Sequence, residues 1–463
     1  MTDTAAAEVA RLRSHFAGRV LEPGAEGYEE ARSIWNGAIN RHPAVIAQCT
    51  STADVVEAIR FARAAGLELS VRGGGHNFSG CALVDGGLTV DLSPMHAVSV
   101  DPARRRARCG GGTTWGVYDA VCQEHGLASP GGFITHTGVA GLTLGGGMGW
   151  LSRMAGLAAD NLTGAQVVTA TGEVVRAAAD ENSELFWGLR GGGGNFGVVT
   201  EFEFALHQVG LLNLQLWFFG LDDGAAVMMA ADQLADDLPD DVTMFLGGLN
   251  APPEPFVPEQ YQLQPGYAML LLGTGTAESH AAVTSRVKGM FPAPLFDFAT
   301  PIPYTALQSM FDASSPWGIL GYERALHLER MTPGAAQVIA DHMPRKTSPM
   351  SFVPIFVHGG AYARVPDADT AFGGSRSSRY VVNVSAVAPA PDLFEADKQW
   401  VKDFWTALLP HAKGAGSYVN FMSEYEEDRV RASYGAAKYD RLAALKRTWD
   451  PDNVFHLNAN IRP

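Results

Sequence analysis

Residues 71–80, VRGGGHNFSG, place three glycines and then a histidine directly after LELS, whose alternation reads as a β-strand. Glycine in that number leaves the main chain bare, so its amides can approach a ligand closely, and the loop delivers an imidazole to the same place. Two further clusters, at 145–147 and 191–194, lie in the same half of the chain. The segment 131–149, GGFITHTGVAGLTLGGGMG, holds eight glycines in nineteen positions, which predicts no packed helix there, since each glycine costs a helix about 1 kcal/mol. One such cluster is an ordinary turn; three fit a long polyanionic ligand gripped by backbone N–H groups from several loops.

The familiar nucleotide motifs do not account for these loops. GGGNFG at 192–197 has the GxGxxG spacing but precedes VVTEFEF, a strand pattern, whereas the dinucleotide fingerprint follows a strand and opens a helix. No GxxxxGK[ST], HExxH or GxSxG occurs, so kinase, zinc-protease and serine-hydrolase readings fall away.

Outward from the glycine loops, TSTADVVEAIRFARAAG reads as a helix with Ser51 or Thr52 as N-cap and Gly66 as stop. After residue 205 the glycine clusters end. Apolar runs such as LNLQLWFFG, YAMLLLGTG and RYVVNVSAVAP alternate with helices such as AAVTSRVKGMF, which predicts an antiparallel sheet with helices on one side over 206–417. The tail, 418–463, reads as polar and turn-rich, and its SEYEEDRVR run as a solvated face. The expected class is α+β. A net charge of −15 argues against nucleic acid and anionic membrane as partners and leaves a small molecule. No signal segment or membrane span is read, so a cytoplasmic location is expected. Four cysteines without a CxxC pair are read as reduced and mostly buried, and no metal site is expected.

Four segments together resemble the berberine bridge enzyme-like branch of the vanillyl-alcohol oxidase superfamily, covering nearly the whole chain. VRGGGHNFSG is similar to its pyrophosphate loop, THTGVAGLTLGGGMGWLSRMAGLAADNL to its second flavin loop, ELFWGLRGGGGNFGVVTEFEF to the element closing the flavin domain, and YGAAKYDRLAALKRTWDPDNVFHLNANI to its closing signature. The resemblance implies a PCMH-type FAD-binding fold: an FAD domain from 1–205 and 418–463, with the substrate domain, 206–417, inserted. It carries flavin binding onto Arg72, Gly73, Gly74, Gly75, His76, Asn77, Ser79 and Gly80 in the first loop. In the second it marks Thr137, Gly138, Gly141, Leu142, Gly145, Gly146, Gly147, Gly149, Trp150, Asp160 and Asn161. Gly194, Gly197, Val198 and Val199 follow in the closing element, and Asn458 and Asn460 in the tail.

His76 stands where the family joins a histidine to the 8α-methyl of FAD. Many members add a cysteine link four residues before the glycine that is Gly138 here; this chain has Ile134, so the resemblance implies attachment through His76 only. Thr137 stands where oxygen-reactive members usually carry valine. The implied activity is hydride transfer from a small-molecule alcohol, amine or related C–H substrate to flavin, with reoxidation by O2 giving H2O2; the alternative is a dehydrogenase using another acceptor. For the catalytic base, the family's YxNY tyrosine is replaced by Phe421. Asn383 stands about where other members have Glu or Gln, and shares a strand face with Val381 and Ser385. Tyr418, Asn383 and Tyr380 are therefore the catalytic candidates, with His136 and His358 beside them.

Overall fold

A computed structural model describes residues 3–414 and 416–463. Its first sheet has strands in the order Arg19–Leu21, Val45–Gln48, Leu88–Asp91, Leu69–Arg72, the last three mutually parallel. The helix Thr52–Ala65 makes the crossover between two of them. Of the two residues read as N-caps, Ser51 is the cap: its hydroxyl accepts from the Asp54 amide while the Asp54 carboxylate accepts from the Ser51 amide. Gly66 ends the helix at φ 63°, a left-handed conformation that glycine adopts without penalty.

A second sheet is antiparallel, in the order Val98–Asp101, Arg106–Gly110, Val198–Ala205, Leu162–Val168, Val174–Ala178. The third is larger. Seven antiparallel strands run in the order Phe296–Ile302, Leu212–Phe219, Pro265–Gly273, Val242–Asn250, Val353–Val357, Tyr380–Ala388, Leu320–Leu328. One of its faces carries Met244, Leu246, Met269, Leu271, Ile355, Val382 and Val384 into a core covered by the helices Gly224–Asp236, Ala277–Met290, Pro333–His342 and Pro391–Leu408. The other face roofs a cavity. The strands Pro265–Gly273 and Tyr380–Ala388 are buried on both sides, which is why they read as almost unbroken apolar runs. The α+β class and the one-sided helical layer agree with the sequence.

Two expectations are corrected. Within 131–149 the chain does form a short helix, Val139–Leu144, because five of its six residues are not glycine and it needs only one and a half turns. The tail is mostly helical, Glu427–Tyr434 and Ala436–Trp449, with Tyr434, Tyr439, Leu442 and Leu445 joining the core of the flavin-side sheets. Its charged residues are taken up in ion pairs, Glu424 with Arg324 and Glu427 with Arg462, which is how polar composition concealed it.

Candidate active site

The cavity measures about 980 Å³ and runs from the glycine loops to the underside of the seven-stranded sheet. The loop after the strand Leu69–Arg72 forms one wall. Gly74 lies against Gly138 of the second loop so closely that a methyl on either would overlap the other's backbone. Gly75 takes φ 67° and passes the chain into His76. The imidazole of His76 stacks on Trp35, ring centroids 4.6 Å apart, with its Nε2 3.0 Å from His136 Nδ1. Burial pushes its pKa down to about 3, and the neighbouring His136 adds to the effect, so the ring is neutral at ordinary pH. Among the described residues, Nδ1 of His76 pairs with no other side chain.

Around it, Asn77 donates to the Tyr425 hydroxyl at 3.0 Å and accepts from Ser79 Oγ at 2.6 Å. Arg72 does not line the cavity; its guanidinium donates to the Ala31 carbonyl and faces Asp91, holding the loop's entry. Ser79 and Gly80 also stand behind the wall, Gly80 against Ile39.

From the second loop, Thr137, Gly138, Gly141, Leu142 and Gly145 line the cavity; from the third, Gly194, Gly197, Val198 and Val199; from the tail, Asn458. The remaining positions expected to hold cofactor do other work. Gly147 donates its amide to Tyr418 at 2.8 Å, Gly146 packs on Phe372, and Gly149 abuts the Gly131 carbonyl. Trp150 sits in a core with Phe133, Phe245 and Phe311. Asp160 forms a two-pronged buried pair with Arg376, at 2.7 and 2.8 Å, and Asn161 ties the carbonyls of Ala155 and Leu157. Asn460 lies off the cavity wall.

Does this cavity suit a flavin dinucleotide? Among the described residues no lysine or arginine lines it, while bare backbone from Gly73–Gly75, Gly138, Gly141, Gly193 and Gly194 does. A diphosphate is then met by amide N–H groups, which glycines can bring close. Asn458 adds a buried side-chain oxygen that has no partner among the described residues. The residues fit the group.

The other end is aromatic. Phe218, Phe245, Phe296 and Phe356 come down from the sheet, and Phe133, Phe311 and Phe421 close the sides. One polar cluster interrupts them, where the strand Leu320–Leu328 pairs Glu323 with Ser385 and Ala325 with Asn383. Glu323 Oε2 accepts from Asn383 Nδ2 at 2.7 Å and lies 3.4 Å from Ser385 Oγ. Glu323 Oε1 and Asn383 Oδ1 are buried without partners. Glu323 is 2% exposed, and burial pushes its pKa up to about 8 against those two hydrogen bonds.

Of the catalytic candidates, Asn383 and Tyr418 line the cavity. The Tyr418 hydroxyl accepts from the Gly147 amide and from Asn420, each at 2.8 Å, and burial raises its pKa to about 12. Tyr380 is corrected: strand alternation turns it to the helix-covered face, where its hydroxyl donates to Asp232 at 2.8 Å. His358 stacks on Tyr362 at 4.1 Å and does not line the cavity either. Glu323 is a site residue that the sequence reading misses. Its one signal is a lone carboxylate in LGYERALHL, on the same face as Gly321 and Ala325, where a charged residue is rarely buried without a reason.

Residues 43–178 match the family described as FAD binding domain, and residues 417–462 the one described as berberine and berberine like. An FAD-linked oxidoreductase of Dictyostelium discoideum is 30% identical over 451 residues, 96% of this chain and 95% of that protein. The (R)-6-hydroxynicotine oxidase of Paenarthrobacter nicotinovorans is 30% identical over 461 residues, 96% and 97% of the two chains. The crystal structure of 6-hydroxy-D-nicotine oxidase from Arthrobacter nicotinovorans superposes with a TM-score of 0.84 at 29% identity, over 97% of this chain and 98% of that one. With a flavin-binding match in its first half, a berberine-type tail and relatives aligned along almost its full length, the chain belongs to the berberine bridge enzyme-like family of FAD-linked oxidoreductases.

Proposed function

We propose that this FAD-linked oxidoreductase is an oxidase whose flavin is joined to the protein through His76 alone. The observation that carries the reading is the His76 ring itself: neutral, stacked at the cavity wall on Trp35, with Nε2 engaged by His136 and Nδ1 left to form a bond. A second link lacks a partner. Ile134 presents only carbon to the cavity, and Cys81, the one cysteine among the described residues on its wall, is kept as a thiol by burial, which raises its pKa.

A bound flavin would supply the hydride acceptor for a substrate C–H bond and, on reoxidation, the reduction of O2 to H2O2. The chain supplies the rest. Glycine backbone would hold the diphosphate, the aromatic walls would exclude water, and the seven-stranded sheet would hold the substrate. Thr137, which lines the cavity beside Gly138, is small enough that it would leave room for oxygen.

Purified protein run on a denaturing gel is expected to show yellow fluorescence that survives acid precipitation and is absent from His76→Ala. After anaerobic reduction with dithionite, admitting air is expected to restore the oxidised spectrum within seconds. A reduced spectrum that persists for minutes in air makes the protein a dehydrogenase instead.

A further inference from the structure

We propose that Glu323 is the proton acceptor of this site, and that the cavity takes an aromatic, uncharged molecule whose reacting carbon carries a single O–H or N–H. The proposal rests on the oxidoreductase reading above and goes beyond it in naming the residue and the substrate class.

The substrate end of the cavity is walled by phenylalanines from four strands and three further segments, surfaces that stack or edge-pack against rings and offer no hydrogen bond to a polyhydroxylated molecule. Every hydroxyl of a sugar buried there would lose its water without a replacement partner. Asn250, Glu254, Ser314 and Ser315 also line the cavity but are half-buried or exposed, whereas Glu323, Asn383 and Ser385 form the buried polar cluster, with the Tyr418 phenol on the same wall. There, Glu323 Oε1 and Asn383 Oδ1 are buried and have no donor among the described residues. Once Glu323 is ionised, both oxygens are acceptors in want of a donor, and an O–H or N–H of the ligand meets that need at Oε1.

The division of labour between the two follows from their chemistry. Asn383 cannot take a proton; its amide group donates to Glu323 Oε2 and so aims the carboxyl. Glu323 can. Its backbone is pinned as well, because the Glu323 amide donates to Ser423 Oγ at 2.8 Å, two residues past the YVNF segment that lines the same cavity. The titratable groups facing the carboxyl are the Tyr418 and Tyr425 phenols from the tail, both raised by burial. Asn383 and Ser385 face it from the paired strand and are neutral. Arg324, next along its own strand, turns to Glu424 on the other face. With no cation to stabilise the carboxylate, its pKa stands near 8, suited to taking a proton near neutral pH.

The step balances. The substrate C–H bond breaks, and its hydrogen with both electrons goes to flavin; the O–H or N–H bond breaks, and its proton goes to Glu323 Oε1; a C=O or C=N bond forms. The substrate loses two electrons and the flavin gains them, to be returned to O2 as H2O2. Glu323 must be ionised beforehand, so the rate rises with pH.

The test is anaerobic stopped-flow bleaching of the holoenzyme's flavin with 4-methoxybenzyl alcohol and cellobiose. The aryl probe is expected to bleach the flavin and cellobiose is not. In Glu323→Gln, which keeps the shape and can still pair with Asn383, the limiting rate is expected to fall by about 100-fold or more. Its Kd for the probe should change little, and the rise of rate with pH, with an apparent pKa near 8 in the wild type, should disappear. Glu323→Asp, a carboxyl with shorter reach, should recover part of the rate and the pH limb, which separates proton transfer from a folding role. A wild-type rate and pH limb in Glu323→Gln overturns the assignment; bleaching by cellobiose alone, or by no probe, overturns the substrate class. Protein that purifies without flavin defeats the underlying oxidase reading instead, and its spectrum shows this before any probe is added.

Discussion

At the scale of single residues, what the sequence announces and what it hides differ by chemistry. His76 is legible because three glycines run straight into it, and the end of a packed strand has no need of backbone so bare. Glu323 is not, since one carboxylate in an apolar strand acquires meaning only when the neighbouring strand places Asn383 and Ser385 against it. Tyr380 is legible as a polar group but not as one on the wrong face: alternation alone separates it from Asn383, yet which face meets the cavity is decided by tertiary packing. The buried carboxyl also predicts a stability effect. Its folded pKa of about 8 lies above the ordinary 4.5, so its contribution is fully present below 4.5 and is lost as pH rises through 8. Urea unfolding should therefore show Glu323→Gln gaining on the wild type between pH 5 and pH 8, by about 1.4 kcal/mol per pH unit at most. A constant difference across that range would mean that Glu323 is not held neutral by the fold.

Among the elements, the strands and the long capped helix can be read directly, since periodicity and terminal residues act locally. The tail helices cannot, because their charged residues look like solvent-facing loop until Lys446 is seen buried, donating to Asp450 and to the Asn195 and Phe455 carbonyls. Those bonds fasten the tail to the third glycine loop, whose Asn195 in turn holds Ile461 and Ala459. The glycine loops are legible as ligand-binding backbone; their contact with each other is not. Gly74→Ala should push the first two loops apart, because its new methyl meets Gly138. The variant is expected to purify with much less bound flavin, read as the ratio of flavin to protein absorbance. Gly289→Ala, with no atom within 4 Å of the added methyl and a place in the helix Ala277–Met290, should keep its flavin and gain about 1 kcal/mol of stability.

Over the whole molecule, the cavity exists only because the flavin-side sheets and the seven-stranded sheet are fixed to each other. Arg153 makes one tie, its guanidinium donating to the carbonyls of Val242, His358 and Leu238. The pair of Asp160 with Arg376 makes another, with side chains 7% and 5% exposed and the guanidinium lying over Phe372 and Tyr362. Sequence resemblance assigns Asp160 to the cofactor; the structure gives it this structural role, which no local pattern could disclose because its partner lies 216 residues away. Asp160→Asn strands a buried guanidinium and should cost about 3–5 kcal/mol in urea unfolding, with Asp160→Asn/Arg376→Met less destabilised than the single variant. Equal loss in both would mean that the pair does not tie the two halves together.

The proposed bond at His76 is the central claim, and intact-mass spectrometry of the freshly purified protein, followed by mapping of the flavin-bearing peptide, tests it most directly. The expected result is a single species at the polypeptide mass plus one FAD, with the flavin on the peptide containing VRGGGHNFSG and attached to no cysteine. A bare polypeptide mass from visibly yellow protein, or flavin mapped to any other residue, would contradict it.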